Sequence, residues 1–259
     1  MSQTPEPAGL RLGRRPPRPE EQAPRLKLAP FLRALPAVPP VVDYLSKVTG
    51  WPMYANDQVG DCTVAAAGHM VQAWTRYGRG ATVTVTEADV IRAYSAVTGY
   101  DPARPETDQG AVMQDVLGYW RRVGVGGHRI VAFAAVNPAD LGEVRAALHL
   151  FGHVYVGANL PASALAQFEQ GRSWSPVPGS PIAGGHAINV GYVSARSLRA
   201  VTWGRVQSMT TAWWRCYVEE AWVAISPEWL STAGRTPTGL DLAGLGQAFT
   251  TLTGEPFAL

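Results

Sequence analysis

Cys62 is the residue whose type and position could most readily do chemistry. It follows a glycine-containing loop at residues 56–61 and begins an alanine-rich stretch with apolar residues at helical intervals. Partial positive charge at a helix N-terminus favours a thiolate and lowers the pKa of a cysteine from its free value of about 8.5. Asp61 opposes this effect, because a neighbouring carboxylate disfavours a second negative charge. A reactive Cys62 would therefore need a nearby imidazolium; the alternative is a small, buried apolar residue.

His186 is the candidate partner for that thiol. It follows two glycines, Gly184 and Gly185, and precedes an apolar run that is typical of a buried strand. The glycines would let another backbone or a substrate approach, while the strand would hold the imidazole at a cleft. A core histidine bonded to a backbone carbonyl is the alternative. With Cys62 upstream, we favour a thiol nucleophile paired with a histidine base.

The remaining histidines and the second cysteine do not suggest further chemistry. His69 lies seven residues along the helix from Cys62, about 10 Å away by the helical rise, which is too far for a base. His149 and His153 have the spacing of metal ligands, but Gly152 interrupts the helix and no third ligand clusters nearby. We therefore expect no metal and no cofactor, and we predict that Cys216 is a strand residue packed among aromatic side chains.

The elements that must position Cys62 and His186 follow from hydrophobic periodicity and strand propensity. Asp61 is the predicted N-cap of the first helix and Thr86 that of the second. The sequence predicts helices over 62–77, 87–98, 111–123 and 140–150, strands over 130–135, 154–159, 187–193, 197–203, 211–218 and 221–225, and a short helix or turns within 238–253. Because helices precede strands, an α+β fold is expected, with a helical lobe beside an antiparallel sheet.

Composition limits the classes of protein that the chain can represent. A chain of 259 residues, 46% of them apolar, can bury one core or two lobes. A net charge of +2 gives no reason to expect binding to nucleic acid or to an acidic membrane. The N-terminus lacks a secretory pattern, no apolar run approaches the ~18 residues of a membrane span, and two cysteines suit a reducing compartment. We expect a soluble protein that is not secreted.

The first forty residues differ in composition from the rest. They contain ten of the 21 prolines and carry a charge of +4, from seven basic and three acidic residues. Proline fixes φ and lacks an amide donor, so an extended arm over 1–40 is expected, followed by a domain over 41–235 and a C-terminal segment over 236–259. The arm is either a solvated tail or a segment that docks on a protein partner or on its own domain. Its apolar anchors would be Leu26, Leu28, Phe31, Leu32 and Leu35.

Taken together, these features resemble the papain family of cysteine peptidases. The resemblance rests on Cys62 opening a helix, on the glycine-preceded His186 downstream, and on the Trp203-Gly204 pair that follows it. The Asp108-Gln109-Gly110 segment and the stretch 140–157 also match in order, so the resemblance spans residues 51–229. It implies a two-lobe fold with a cleft between the lobes, Cys62 as nucleophile, His186 as base, and a peptide or protein substrate.

Two departures from the family pattern concern residues that support the pair. The family's oxyanion-binding glutamine lies six residues before the cysteine, where this chain has Asn56; Gln58 has the usual side chain at another offset. Either amide could donate to an oxyanion, or both could serve turn structure only. The asparagine that orients the histidine would fall on Val201 or Thr202. We therefore expect a Cys–His dyad, with Thr202 as a weak orienting residue and Trp203 as its shield.

Three functions remain open at this point. The first is a thiol hydrolase that cleaves peptide or isopeptide bonds. The second is a papain-fold binding or structural protein, and the third is an acyltransferase or transamidase with the same dyad. The sequence also resembles uncharacterised proteins of actinobacteria and their phages. This resemblance implies a cytoplasmic or a virion-associated location.

Overall fold

A computed structural model describes residues 9–18 and 38–253. The helices are α1 (Cys62–Arg79), α2 (Glu87–Thr98), α3 (Met113–Arg122), α4 (Leu141–Phe151), α5 (Ala162–Glu169), α6 (Thr211–Tyr217) and α7 (Leu242–Thr253). The strands are β1 (Val42–Asp43), β2 (Ala132–Val136), β3 (Val154–Pro161), β4 (Ile182–Val193), β5 (Ser197–Thr202), β6 (Arg205–Thr210) and β7 (Val218–Ile225). Short 3-10 turns cover Pro105–Thr107 and Pro227–Trp229.

The strands form one antiparallel sheet in the order β2-β7-β3-β4-β5-β6, with β1 paired to β4. Strand β4 pairs with β3 on one side and β5 on the other, so it lies inside the sheet. His186, in the N-terminal half of β4, pairs with Ala158 of β3, whereas the pairing with β5 begins three residues later at Asn189. The α+β fold predicted from the sequence is confirmed, with helices α1 to α3 in one lobe and the sheet in the other.

Helix α1 is the element that carries Cys62 into the core. Its residues from Cys62 to Thr75 are all buried, and Gly80 ends the helix in the left-handed conformation that glycine adopts without strain. Asp61 occupies the N-cap position, but its side chain makes no capping hydrogen bond. The predicted N-cap position of Asp61 is therefore confirmed, but without the side-chain bond that normally stabilises it, whereas Thr86 caps α2 in a reciprocal capping box with Asp89.

Tryptophans join α1 to α3 and α4 in the core. Trp74 stacks on Trp120 with ring centroids 5.5 Å apart and donates its indole N–H to the Phe151 carbonyl at 2.9 Å. Trp229 donates in the same way to the Leu150 carbonyl at 3.0 Å. Each indole thus buries a large apolar ring while satisfying its only donor. This packing holds α1 rigidly and so holds the position of Cys62.

Three elements differ from the sequence predictions. Residues 211–217 form helix α6, not a strand, because Thr210 caps the segment by accepting a hydrogen bond from the Trp213 N–H. Cys216 is consequently an exposed helix residue and not a packed strand residue. Helix α5 and strand β6 were not predicted; β6 alternates polar and apolar residues only weakly.

The C-terminal segment packs on the domain through α7, where Phe249 is buried. The described ranges contain no helix that is both long enough and apolar enough to cross a bilayer. In the same ranges, no three histidine, cysteine, aspartate or glutamate side chains are grouped as metal ligands would be.

Candidate active site

Cys62 and His186 are brought together where the start of α1 meets strand β4. The Cys62 side chain is buried at the first position of α1, and its Sγ accepts a hydrogen bond from the Ala187 amide at 3.4 Å. Ala187 directly follows His186 in the strand. The thiol therefore contacts the backbone next to His186, although no hydrogen bond joins it to the imidazole ring in the described structure.

The imidazole of His186 is oriented by two neighbours. Its Nε2 forms a 2.6 Å hydrogen bond with Thr202 Oγ1, and its ring stacks on Trp203 with centroids 4.1 Å apart and planes inclined by 16°. Its Nδ1 is buried and has no hydrogen-bond partner among the described residues. If Nε2 donates to the threonine hydroxyl, Nδ1 presents a lone pair, which is the form that a general base requires.

Trp203 reaches this position from a strained hairpin turn. Strand β5 ends at Thr202, and Trp203 and Gly204 form the two-residue turn to β6 with φ values of 44° and 71°. Such turns usually carry asparagine, aspartate or glycine, because a bulky residue is strained at positive φ. The strain is compensated by the stack on His186. The predicted strand over 197–203 is therefore one residue too long, because Trp203 belongs to the turn.

The two candidate amides, Asn56 and Gln58, differ in burial. Asn56 is buried, and its Nδ2 donates to the Val59 carbonyl at 3.0 Å and to the Arg11 carbonyl at 3.5 Å. Gln58 is exposed. The loop reaches this shape through positive φ values at Tyr54 and Ala55, which neither residue adopts readily. The Asn56 amide thus bridges its own loop and the N-terminal segment through two backbone carbonyls.

Two residues outside the predicted set hold the loop that leads to Cys62. Asp108 accepts the Gly60 N–H at 2.7 Å and the Tyr94 hydroxyl at 2.5 Å, and thereby fixes the backbone two residues before the thiol. His69 bonds the Pro52 carbonyl at 2.8 Å and anchors the start of the same loop. Sequence analysis used Asp108 only as a point of resemblance, since nothing local shows that it bonds residue 60.

The described part of the N-terminal arm lies across this site. Residues 9–18 run through the cleft between the two lobes, which is the second of the alternatives that the sequence left open. The predicted anchors between Leu26 and Leu35 lie outside the described residues. Four backbone hydrogen bonds hold the segment, namely Arg11 N–H to Asn56 O (3.0 Å), Ala111 N–H to Gly13 O (2.7 Å), Arg14 N–H to Gly185 O (3.0 Å) and Arg15 N–H to Ala111 O (2.8 Å).

Glycines make the close approach of the arm possible. A Cβ on Gly13 would lie 1.7 Å from the Gly60 carbonyl oxygen, and a Cβ on Gly185 would lie 2.1 Å from the Arg14 carbonyl oxygen. A Cβ on Gly110 would lie 2.3 Å from the Gly13 carbonyl oxygen. These distances are far inside van der Waals contact, so the cleft and the arm fit each other only because these positions lack side chains.

Burial under the arm changes the protonation of the pair. Desolvation raises the pKa of Cys62 to about 12, even though the backbone amide of Ala187 favours the thiolate. Desolvation lowers the pKa of His186 to about 3, and the positive charge of Arg14 lowers it further. At neutral pH the two groups are thus a thiol and a neutral imidazole. The expected lowering of the cysteine pKa by the helix N-terminus is outweighed by burial.

Comparisons with known proteins identify the architecture. The sequence matches no protein-family model and no curated protein. Xylellain, a cysteine protease from Xylella fastidiosa, superposes with a TM-score of 0.62 at 14% identity, covering 87% of this chain and 99% of the other. Digestive procathepsin L 3 from Tenebrio molitor gives 0.56 at 10% identity, over 84% and 76% of the two chains. A procathepsin B from Trypanosoma congolense gives 0.57 at 9% identity, over 85% and 86%.

The chain therefore has the papain-like fold, with a helical lobe, an antiparallel sheet lobe and a cleft between them. Identities of 9–15% show the fold and not the activity. The chemistry must be argued from this chain's own residues.

Proposed function

We propose that the protein is a thiol hydrolase that cleaves peptide or isopeptide bonds with Cys62 and His186. The observation that carries this proposal is the state of the imidazole: Nε2 is fixed by Thr202, while the buried Nδ1 is unpartnered beside the strand residue that contacts the thiol. This arrangement gives the imidazole one oriented nitrogen and leaves the other for proton transfer.

The reaction would proceed through a thioester. Cys62 Sγ attacks the substrate carbonyl carbon as its proton moves to His186 Nδ1, and the protonated imidazole then gives that proton to the leaving amine. The same nitrogen then takes a proton from water as its oxygen attacks the thioester carbon; the C–S bond breaks, the acid is released, and the Cys62 sulfur takes the proton back from His186. The Asn56 amide and the Cys62 backbone N–H would donate to the oxyanion that develops in both steps.

Thr202 would replace the amide that usually orients such a histidine. Its hydroxyl can accept the Nε2 proton and thus fix the ring tautomer, and Trp203 covers one face of the ring. The indole excludes water from the bond between threonine and histidine. A hydroxyl is a weaker partner for an imidazolium than an amide or carboxylate, so a modest turnover rate is expected.

The arm must leave the cleft before a substrate can enter. Gly13 lies against Gly60, two residues from the thiol, and both reacting groups are buried beneath the segment. Displacing the arm would hydrate the pair and bring the two pKa values closer to their usual range. The described conformation is therefore that of a latent hydrolase, in which the protein's own N-terminal segment occupies the substrate position.

A binding protein with the papain-like fold is the second candidate. The filled cleft and the neutral pair favour it, because a cleft permanently closed by its own chain needs no turnover. A virion component of an actinobacterial phage would be one instance. In that case the arm would remain seated in all conditions, and the dyad would contribute only to packing.

Turnover of a broad peptide library distinguishes the two candidates. Arg14→Ala loosens the arm without altering a residue of the proposed catalytic set, so it should hydrolyse peptides faster than the wild-type chain. Adding Cys62→Ala or His186→Ala to it should abolish hydrolysis, while the thermal unfolding midpoint shows that each variant is folded. No turnover in any variant would favour the binding protein.

A further inference from the structure

We infer that the cleft contains a pocket selective for an arginine side chain, formed by Asn159, Glu219 and Glu220. A peptide ligand would place its arginine there, in the position of Arg14. The residue before that arginine would take the position of Gly13, against Gly60 in the loop that precedes Cys62. As a statement about a substrate this inference rests on the proposed hydrolase function, whereas as a statement about binding it does not.

The arm shows how the pocket holds a guanidinium. The Arg14 side chain is fully buried, and its Nη1 donates to Glu220 Oε1 at 2.9 Å. Its Nη2 donates to Glu219 Oε2 at 2.6 Å and to Asn159 Oδ1 at 2.8 Å. Three acceptors thus surround the planar fork, and two of them are carboxylates that balance its charge.

The walls of the pocket are also held by hydrogen bonds that do not involve Arg14. Glu220 is held by the Trp222 indole N–H, which donates to its other oxygen, Oε2, at 2.8 Å. Asn159 Nδ2 donates to Glu219 Oε1, so these two side chains orient each other. Strands β3 and β7 carry all of these residues, which places the pocket on the rigid sheet.

A glycine beneath the pocket provides room for the arginine. Gly157 lies opposite Glu220 in the β3–β7 pairing, and the register shifts immediately after it. A Cβ at this position would lie 2.6 Å from Arg14 Cδ and 2.7 Å from Glu220 Cγ. Any larger residue would push the carboxylate and the arginine stem apart, so the fold at this point accommodates a long side chain.

The same acceptors would reject other side chains. Leucine in this position would leave Glu220, which is almost fully buried, without its cation, and an unpaired buried carboxylate is strongly unfavourable. Lysine could pair with one carboxylate but lacks the fork that reaches Glu220, Glu219 and Asn159 together. The pocket is therefore specific for guanidinium and not simply for positive charge.

The backbone contacts around Arg14 can be made by another peptide that, like the arm, has glycine before its arginine, since a Cβ on Gly13 would lie 1.7 Å from the Gly60 carbonyl oxygen. Arg14 N–H bonds the Gly185 carbonyl, and the residues on either side of it pair with the Ala111 backbone. None of these bonds needs a particular side chain, so the arginine supplies the selectivity at this position. Arg14 Nε is buried without a hydrogen-bond partner among the described residues, which weakens the hold of the arm and favours its exchange.

Peptide binding to the full chain tests this inference. The protein carries Arg14→Ala to empty the pocket and Cys62→Ala to prevent cleavage. Calorimetric titration compares acetyl-Leu-Gly-Arg-Arg-amide, which copies residues 12–15, with the same peptide containing citrulline in place of its first arginine. Citrulline keeps the shape and removes the charge. We expect the arginine peptide to bind at least tenfold more tightly, and we expect Glu219→Gln, at a partly exposed site, to reduce that ratio.

Equal affinity for the two peptides, or binding of neither, would overturn the inference that the pocket is selective for arginine. Failure of the proposed function gives a different result. In that case the arginine peptide would still bind more tightly than the citrulline peptide, but the peptide library would not be hydrolysed. If Arg14→Ala lowers the thermal midpoint so far that the protein is unfolded, Arg14→Met keeps an apolar stem in the arm but places no cation against Glu220, and the same peptide comparison applies.

Discussion

The burial of Cys62 predicts that its alkylation in the native chain is extremely slow. Burial raises its pKa from an ordinary value of 9.0 to about 12. At a tenfold loss per pKa unit, the thiolate fraction near neutral pH falls about 1,000-fold, and only the thiolate reacts. Steric cover by the arm slows the reaction further, so this factor is a minimum.

Iodoacetamide labelling followed by peptide mass mapping measures this effect directly. Cys216 is exposed in the same chain and serves as an internal standard for reagent and time. The Cys62 rate should be about 1,000-fold below its own rate in denatured protein. It should keep rising tenfold per pH unit above the pH at which the denatured rate levels off. Labelling of native Cys62 within tenfold of the denatured rate would refute the buried, neutral thiol.

Three further predictions concern the arm, the orienting residue and pH. Gly185→Ala should displace the arm, because its Cβ would lie 2.1 Å from the Arg14 carbonyl oxygen, and should speed Cys62 labelling at least tenfold; Gly50→Ala, in open space, should not. Thr202→Val should lower turnover about tenfold in the Arg14→Ala protein by freeing the imidazole, and an unchanged rate would exclude Thr202 as the orienting residue. The thermal midpoint should fall as pH decreases from 6.5 towards 4. Buried histidines whose pKa values are lowered by folding stabilise the folded chain above pH 6.5, and this stabilisation is lost as the pH falls towards those lowered values. A thermal midpoint that does not change over this pH range would contradict this. The histidines concerned are His69 (about 4), His153 (about 3) and His186 (about 3).

Local patterns in the sequence predicted the elements that depend on local interactions. The helices that begin at Cys62 and Glu87 were predicted correctly because their signals are local. Both show apolar residues at helical intervals, and the second is also preceded by the capping residue Thr86. Residues 211–217 were assigned wrongly because their aromatic content favours a strand. The Thr210 hydroxyl accepts a hydrogen bond from the Trp213 N–H and so stabilises a helix here. Strand propensity takes no account of such a cap.

The contacts that close the site could not be predicted in this way. Arg14 is one of several arginines in a proline-rich segment, and nothing near it indicates pairing with Glu220, which lies 206 residues away. The raised pKa of Cys62 comes from burial, and the arm, whose Gly13 packs against Gly60, contributes part of that cover. The sequence therefore predicted Cys62 and His186 as a pair, but with the protonation state of an open cleft, which differs from that of the buried groups.

Acylation of Cys62 is the most direct test of the proposal that this thiol is a nucleophile served by His186. The Arg14→Ala chain, treated briefly with an activated ester of an arginine-containing peptide and quenched in acid, would be analysed by intact and peptide mass. The account predicts one acyl group on Cys62, none on Cys216, and loss of the adduct when His186→Ala is added. An adduct that persists unchanged without His186, or acylation of Cys216 alone, would contradict it.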